Sequence, residues 1–155
     1  SKIGSEPVLE KRDIIEDTKN TVDYLQTRVS QQVNFNFEAP QHPILVEINP
    51  ALHSWTIENL VKNAIDAMKG KGSLNIGISE LEDIVKISIT DSGKGIPKNQ
   101  FTKVFEPGFT TKKRGWGLGL SLTKRIVQEY HKGKIKVAHS EIGKGTTMQI
   151  SYKTA

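Results

Sequence analysis

Apolar and polar positions change their period several times along the chain, and each change marks an element. Over residues 10–32, Ile14, Ile15, Val22, Leu25 and Val29 recur at helical spacing among charged residues, which predicts an amphipathic helix. Val33-Asn34-Phe35-Asn36-Phe37 alternates with period two, and the short run Ile44-Leu45-Val46-Glu47-Ile48 follows a turn-prone Ala39-Pro40-Gln41-His42-Pro43; two strands are expected. Asn49-Pro50 supplies a capping residue and a proline at the first helical position, so a helix should run to about residue 69, where Gly70 and Gly72 stop it. Residues 74–79 and 84–90 read as a hairpin around the acidic Glu80-Leu81-Glu82-Asp83, and residues 134–139 and 146–152 as a second around Glu141-Ile142-Gly143-Lys144-Gly145. Between them, residues 121–130 predict a helix with Leu122, Ile126 and Val127 on one side and a Gly133 stop. The order helix, two strands, helix, two strands, loop, helix, two strands fits an α+β fold. Its architecture would be a two-layer α/β sandwich, with helices on one face of a mixed, mostly antiparallel sheet.

Composition narrows the function classes. The 155 residues suit one domain, and the absence of cysteine excludes disulfides and thiolate metal sites. No apolar run approaches the ~18 residues of a membrane span, and no apolar leader opens the chain. With 22 Lys+Arg against 17 Asp+Glu, the net charge is +5, which would suit nucleic acid or a small anion. The glycines decide between them. Six of the 13 fall between residues 93 and 119, among Ile96, Phe101, Val104, Phe105, Phe109, Trp116, Leu118 and Leu120. That much apolar surface argues for a functional loop and against a solvated tether.

Three local patterns carry chemistry. On the central helix, Ile57, Leu60, Val61, Ala64, Ile65 and Met68 share one side, while Asn59, Lys62, Asn63 and Asp66 share the other. Asparagine is a poor interior helix former, and an amide oxygen one turn from a second polar group can complete the shell of a Mg²⁺ carried by phosphates; a solvated polar face explains the same pattern. Asp91-Ser92-Gly93-Lys94-Gly95-Ile96-Pro97 follows a strand directly. There a carboxylate can accept from an exocyclic amine while glycines admit a flat ring, although Asp, Ser and Gly are also ordinary turn residues. Lys112-Lys113-Arg114-Gly115-Trp116-Gly117-Leu118-Gly119-Leu120 leads cations and alternate glycines into a helix start, an arrangement that binds anions. Neither a Walker A loop nor a Rossmann fingerprint matches this spacing.

Taken in order, these patterns resemble a known family. Residues 58–67, Glu58-Asn59-Leu60-Val61-Lys62-Asn63-Ala64-Ile65-Asp66-Ala67, are similar to the N box of the GHKL superfamily of gyrase, Hsp90, histidine kinases and MutL. Asp91-Ser92-Gly93-Lys94-Gly95 resembles its G1 box, residues 101–109 the F box of histidine kinases, residues 115–120 the G2 box, and Gly143-Lys144-Gly145-Thr146 the last glycine motif. The resemblance covers residues 35–152 and points to the catalytic and ATP-binding (HATPase_c) domain of a sensor histidine kinase, with the Bergerat fold. It implies ATP and Mg²⁺ as cofactors. Asn63 would bind Mg²⁺ and Asn59 would lie beside the phosphates; Asp91 would receive the adenine amino group, with Gly93, Gly95 and Ile96 along the ring. Thr110, Thr111, Lys112 and Lys113 would belong to the ATP lid, Gly117, Leu118, Gly119 and Leu120 to the phosphate nest, and Thr146 to the adenine-side network. Asp66 stands where many members carry Lys or Arg, and no aromatic stands near Ala67. Lys62, Lys112, Lys113 and Arg114 are all candidates to neutralise phosphate, and what stacks on adenine is left open.

Position 59 separates the branches. The ATPases of the superfamily carry a water-activating glutamate four residues before the Mg²⁺ asparagine, where this chain has Asn59; an amide cannot take the proton, so slow hydrolysis and transfer to an outside nucleophile are expected. His42, His53, His131 and His139 lie in no H-E-x-x-x-P type phosphoacceptor motif and read as surface or half-buried. The isolated chain should therefore bind ATP without phosphorylating itself. Residues 1–32 are expected to form an N-terminal helix and candidate connection to a dimerisation and phosphoacceptor domain, and residues 33–155 the ATP-binding domain. Implied partners are that phosphoacceptor domain and a response regulator receiver domain, with no nucleic acid and no membrane contact by this domain. The expected location is the cytoplasm, with inner-membrane anchoring of a full-length protein left open. A GHKL ATPase or clamp, a sigma-factor-regulating serine kinase and, more distantly, a nucleic-acid-binding module are the alternatives.

Overall fold

The computed structural model describes residues 7–109 and 119–155. The elements in chain order are β1 (Glu10–Asp13), α1 (Ile14–Gln26), β2 (Val33–Glu38), β3 (Leu45–Ile48), α2 (Pro50–Ala67), β4 (Gly72–Leu81), β5 (Ile84–Asp91), α3 (Gly119–Arg125), β6 (Lys134–Glu141) and β7 (Gly145–Lys153). Five strands form the main sheet in the order β2-β4-β5-β7-β6, with β2 parallel to β4 and the other neighbours antiparallel. Strands β1 and β3 form a separate antiparallel pair. The α+β sandwich expected from the pattern is the fold observed, and both hairpins form.

Strand alternation explains the layers. Leu74, Ile76 and Ile78 of β4, Val85, Ile87 and Ile89 of β5, and Met148, Ile150 and Tyr152 of β7 are buried. Between them Asn75, Ser79 and Lys86 face solvent, so one sheet face is covered and the other is wet. The cover is helical. Ile57, Leu60, Val61 and Ala64 of α2 and Ile14, Val22 and Leu25 of α1 join the same core. Val104 and Phe105, in a 3₁₀ turn over Lys103–Phe105, are buried in it too.

The first segment departs from its expected helix. Residues 10–13 give their backbone bonds to β3, in the register Glu10↔Ile48 to Asp13↔Leu45, and the helix begins only at Ile14. Asp13 makes the switch: its Oδ1 accepts from the Ile15 N–H at 3.0 Å as N-cap and from the Ile44 N–H at 3.2 Å. At the other end α1 stops at Gln26, six residues short of the expected limit, and Ser30 Oγ accepts from the Gln32 N–H in the turn that follows. The helix over α3 also differs in detail. It is described from Gly119 onward and widens into a π-helical turn over Ile126–Tyr130, closed by the His131 N–H to the Ile126 carbonyl at 3.1 Å. Ile126 and Val127 are buried as expected, but Leu122 is 41% exposed. Among the described residues, no helix is long and apolar enough to cross a membrane.

Candidate functional site

Helix α2 begins as its sequence dictates, with Asn49 Oδ1 accepting from the Leu52 N–H at 3.0 Å and Pro50 in the first turn. Its buried and polar faces divide as on the helical wheel, with Asn59 and Asn63 half-buried and Lys62 and Asp66 exposed. Asn59 is tied to α3: its Nδ2 donates to Thr123 Oγ1 at 2.7 Å, and that hydroxyl donates to the Gly119 carbonyl at 2.7 Å. Because the Thr123 proton is committed to Gly119, the oxygen must receive from Asn59, which settles the direction of the amide. A Cβ on Gly119 would lie 3.2 Å from Asn59 Oδ1, a tight approach that the Asn59 side chain would have to yield to by a few tenths of an ångström. Lys62 is ion-paired one turn back along the helix, its Nζ 2.7 Å from Glu58 Oε2.

The second part of the site lies where β5 ends. Asp91, in register with Leu74 of β4 and Thr146 of β7, is only 7% exposed. Burial pushes its carboxyl above the usual range, opposed by hydrogen bonds from the backbone of Gly93 and Thr146. The Gly93 N–H donates to Asp91 Oδ1 at 2.8 Å. A Cβ on Gly93 would sit 2.5 Å from the Ala67 carbonyl oxygen, which also accepts from the Lys94 N–H at 3.1 Å; the turn is thus seated on the last residue of α2. Gly95, at φ +82°, passes under the Glu141 carbonyl with no room for a Cβ.

Ser140 joins these pieces. Its Oγ accepts from the Ile96 N–H at 2.7 Å and lies 2.7 Å from Thr146 Oγ1, while donating to the Gly145 carbonyl at 3.1 Å. Asp91, Gly93, Ile96 and Thr146 are therefore brought together by hydrogen bonds, and Gly95 by its close approach to Glu141. Phe101, Phe109 and Leu120 are half-buried and pack on the hydrophobic core. Thr110, Thr111, Lys112, Lys113, Gly117 and Leu118 lie outside the described residues.

Some functional candidates escaped the sequence reading. Thr123 could be found only as the residue one turn after Gly119, and Ser140 only once β6 and β7 were in register. The histidines need a correction: His53 is 0% and His131 7% exposed, where all four were expected at the surface or half-buried. His53 Nε2 lies 2.8 Å from Thr18 Oγ1, a partner on α1 that no local pattern reveals.

The layered fold is that of solved histidine kinase catalytic domains. The catalytic domain of histidine kinase ThkA superposes with a TM-score of 0.83 and 27% identity, over 94% of this chain and 95% of that one. ThkA in complex with response regulator protein TrrA gives a TM-score of 0.82 at 26% identity, over 95% of this chain and 42% of that one. In sequence, sensor histidine kinase ZraS of Escherichia coli (strain K12) is 40% identical over 121 residues, 78% of this chain and 26% of that protein. Sporulation kinase E of Bacillus subtilis (strain 168) is 34% identical over 148 residues, 92% of this chain and 19% of that protein. Residues 52–155 match the family model of the histidine kinase-, DNA gyrase B-, and HSP90-like ATPases, and the chain belongs to that family. It spans about a quarter or less of the length of these curated relatives.

Proposed function

We propose that this chain is the ATP-binding catalytic domain of a sensor histidine kinase, which transfers the γ-phosphoryl group to a histidine on a dimerisation and phosphoacceptor domain. The phosphoryl group then passes to a response regulator receiver domain, and the reaction belongs to the cytoplasm. The observation that carries this reading is the joining of two candidate surfaces through α2. One end of the helix holds the buried Asp91 turn, and its polar face is bonded through Asn59 to the glycine start of α3. In this reading Asp91 accepts from the adenine amino group, with Gly93, Gly95, Ile96 and Thr146 around it. Asn59, Asn63 and the Gly119 and Leu120 backbone face the phosphates, with residues 110–118 supplying lid and nest. Residues 7–32 complete the core and lead toward the phosphoacceptor domain.

The donor set fits Mg²⁺. Asn63 is half-buried on the polar side of α2, and its amide oxygen would be a hard neutral ligand for an ion carried by the phosphates. When bound, it neutralises phosphate charge. The protein's own residues align the nucleotide and withhold a base from water. Asn59 is an amide turned toward Thr123, and the neighbouring carboxylate, Glu58, is paired with Lys62. A hydrolytic clamp is disfavoured for that reason.

Calorimetric titration tests the reading. The expected results are Mg²⁺-dependent ATP binding, about 10- to 100-fold weaker in Asp91→Asn, which loses a charged acceptor, and much weaker in Asn63→Ala. Asp91→Asn should melt no lower than the parent at pH 7.5, since the amide removes a buried charge. Incubation with γ-labelled ATP should leave the chain unlabelled and release phosphate slowly. Unchanged binding in both variants sinks the site assignments, and hydrolysis at the rate of a dedicated ATPase sinks the kinase reading.

A further inference from the structure

The helix described over Gly119–Arg125 and its π-helical continuation to Tyr130 is bonded to α2 and its cap near both of its own ends. At one end stands the Asn59–Thr123–Gly119 relay. At the other, the Asn49 backbone N–H donates to His131 Nε2 at 3.1 Å. A backbone N–H can only donate, so Nε2 bears a lone pair and the proton of the neutral ring sits on Nδ1.

Every other group on Asn49 is already engaged. Its Oδ1 caps Leu52, its carbonyl accepts from the His53 N–H at 2.9 Å, and its Nδ2 donates to the Val8 carbonyl at 3.0 Å. Of these bonds, the N–H to His131 is the one that reaches the last helix. The ring itself is enclosed: its centroid lies 5.8 Å from Tyr152 of β7, edge-on, with His53 of α2 on the same tyrosine at 6.2 Å. Burial lowers the His131 pKa, and so keeps the ring an acceptor at neutral pH.

We infer that His131 is a positioning residue for the nucleotide site: its Nε2 holds the N-terminus of α2 against the far end of the α3 helix, keeping Asn59 and Asn63 in register with the start of α3. The inference rests on the reading of these two helices as the phosphate side of the site. Ten residues of helix, about 15 Å, separate Asn49 from Asn59. A helix this well packed moves as a body, so slack at its cap is delivered to the asparagines. Misplacements of about 1 Å are enough to cost large factors at a reacting centre.

Two variants test it. His131→Leu removes the acceptor, whereas His131→Gln can return an amide oxygen to the place of Nε2. The measurements are the affinity for Mg²⁺-ATP, the melting temperature, and the side-chain amide resonances of Asn59 and Asn63 in the nucleotide-free protein. His131→Leu should weaken ATP binding about three- to tenfold and shift both resonances, and His131→Gln should restore both. A purely structural role would lower the melting temperature and leave the resonances in place. A folded His131→Leu protein with parental resonances and affinity overturns the proposal, and so does His131→Gln failing to restore them. Should His131→Leu not fold, His131→Asn, whose amide is too short to reach Asn49, takes its place under the same criteria. Wild-type protein that binds no ATP overturns the proposed function instead, while the nucleotide-free resonances still decide the role of His131.

Discussion

His53 is enclosed on all sides, and burial is the main cause that lowers its pKa from 6.5 to about 3, with His131 adding to the effect and Asp17 opposing it. The unfolded chain takes up this proton near pH 6.5 and the folded one does not, so the contribution to stability is complete above pH 6.5. It is lost as the pH falls from there toward 3, at about 1.4 kcal/mol for each unit. Thermal melts from pH 7.5 to 4.5 should show this acid loss, and a His53→Gln protein should show a shallower one. Equal slopes in the two would remove His53 as the cause. None of this was legible locally, because the residue that covers its Nε2, Thr18, is 35 positions away. Asp91 behaves differently: its place after a strand and before two glycines marked it in the sequence, and only the degree of its burial came from the fold.

Elements meet at the site through glycines that cannot be replaced for reasons of space. Gly93 is the sharpest case, since a Cβ there would stand 2.5 Å from the carbonyl oxygen of Ala67, and a helix backbone gives way less readily than a side chain. Gly93→Ala should lower stability by about 1–3 kcal/mol and lift the turn off α2, weakening ATP binding with it. Gly77→Ala is the control: nothing lies within 4 Å of a Cβ there, and thermal melts should show no loss. Helix α2 was the most legible element, because its cap, proline, apolar stripe and stop all agree within one stretch of chain. The N-terminal segment was the least. The apolar residues of α1 keep helical spacing from Ile14 onward, but whether residues 10–13 join that helix depends on β3, more than 30 residues later.

For the whole molecule, the question is how much of the chain the domain needs. Ile14, Val22 and Leu25 are at most 4% exposed and share the core with α2. Each buried side chain of this kind contributes about 1.5–3 kcal/mol, so together they rival the ~5–15 kcal/mol that holds a domain folded. A chain of residues 33–155 should therefore melt far below the parent or fail to fold, as read by circular dichroism. If it melts within a few degrees of the parent, the β1–α1 segment is an accessory and the core is complete without it.

Sequence alone determined what short-range chemistry decides: the strand and helix periods, the caps, the two-faced α2, the Asp91 turn, and the ordered motifs that place the family. Tertiary structure decided the pairings: β1 with β3, β2 parallel to β4, Thr123 under Asn59, Ser140 between Ile96 and Thr146, and the burial of His53 and His131. The physical reason is the range of the interactions. A period or a cap is set by neighbours a few residues apart, whereas a buried hydrogen bond between distant segments exists only after the packed layers have chosen their register.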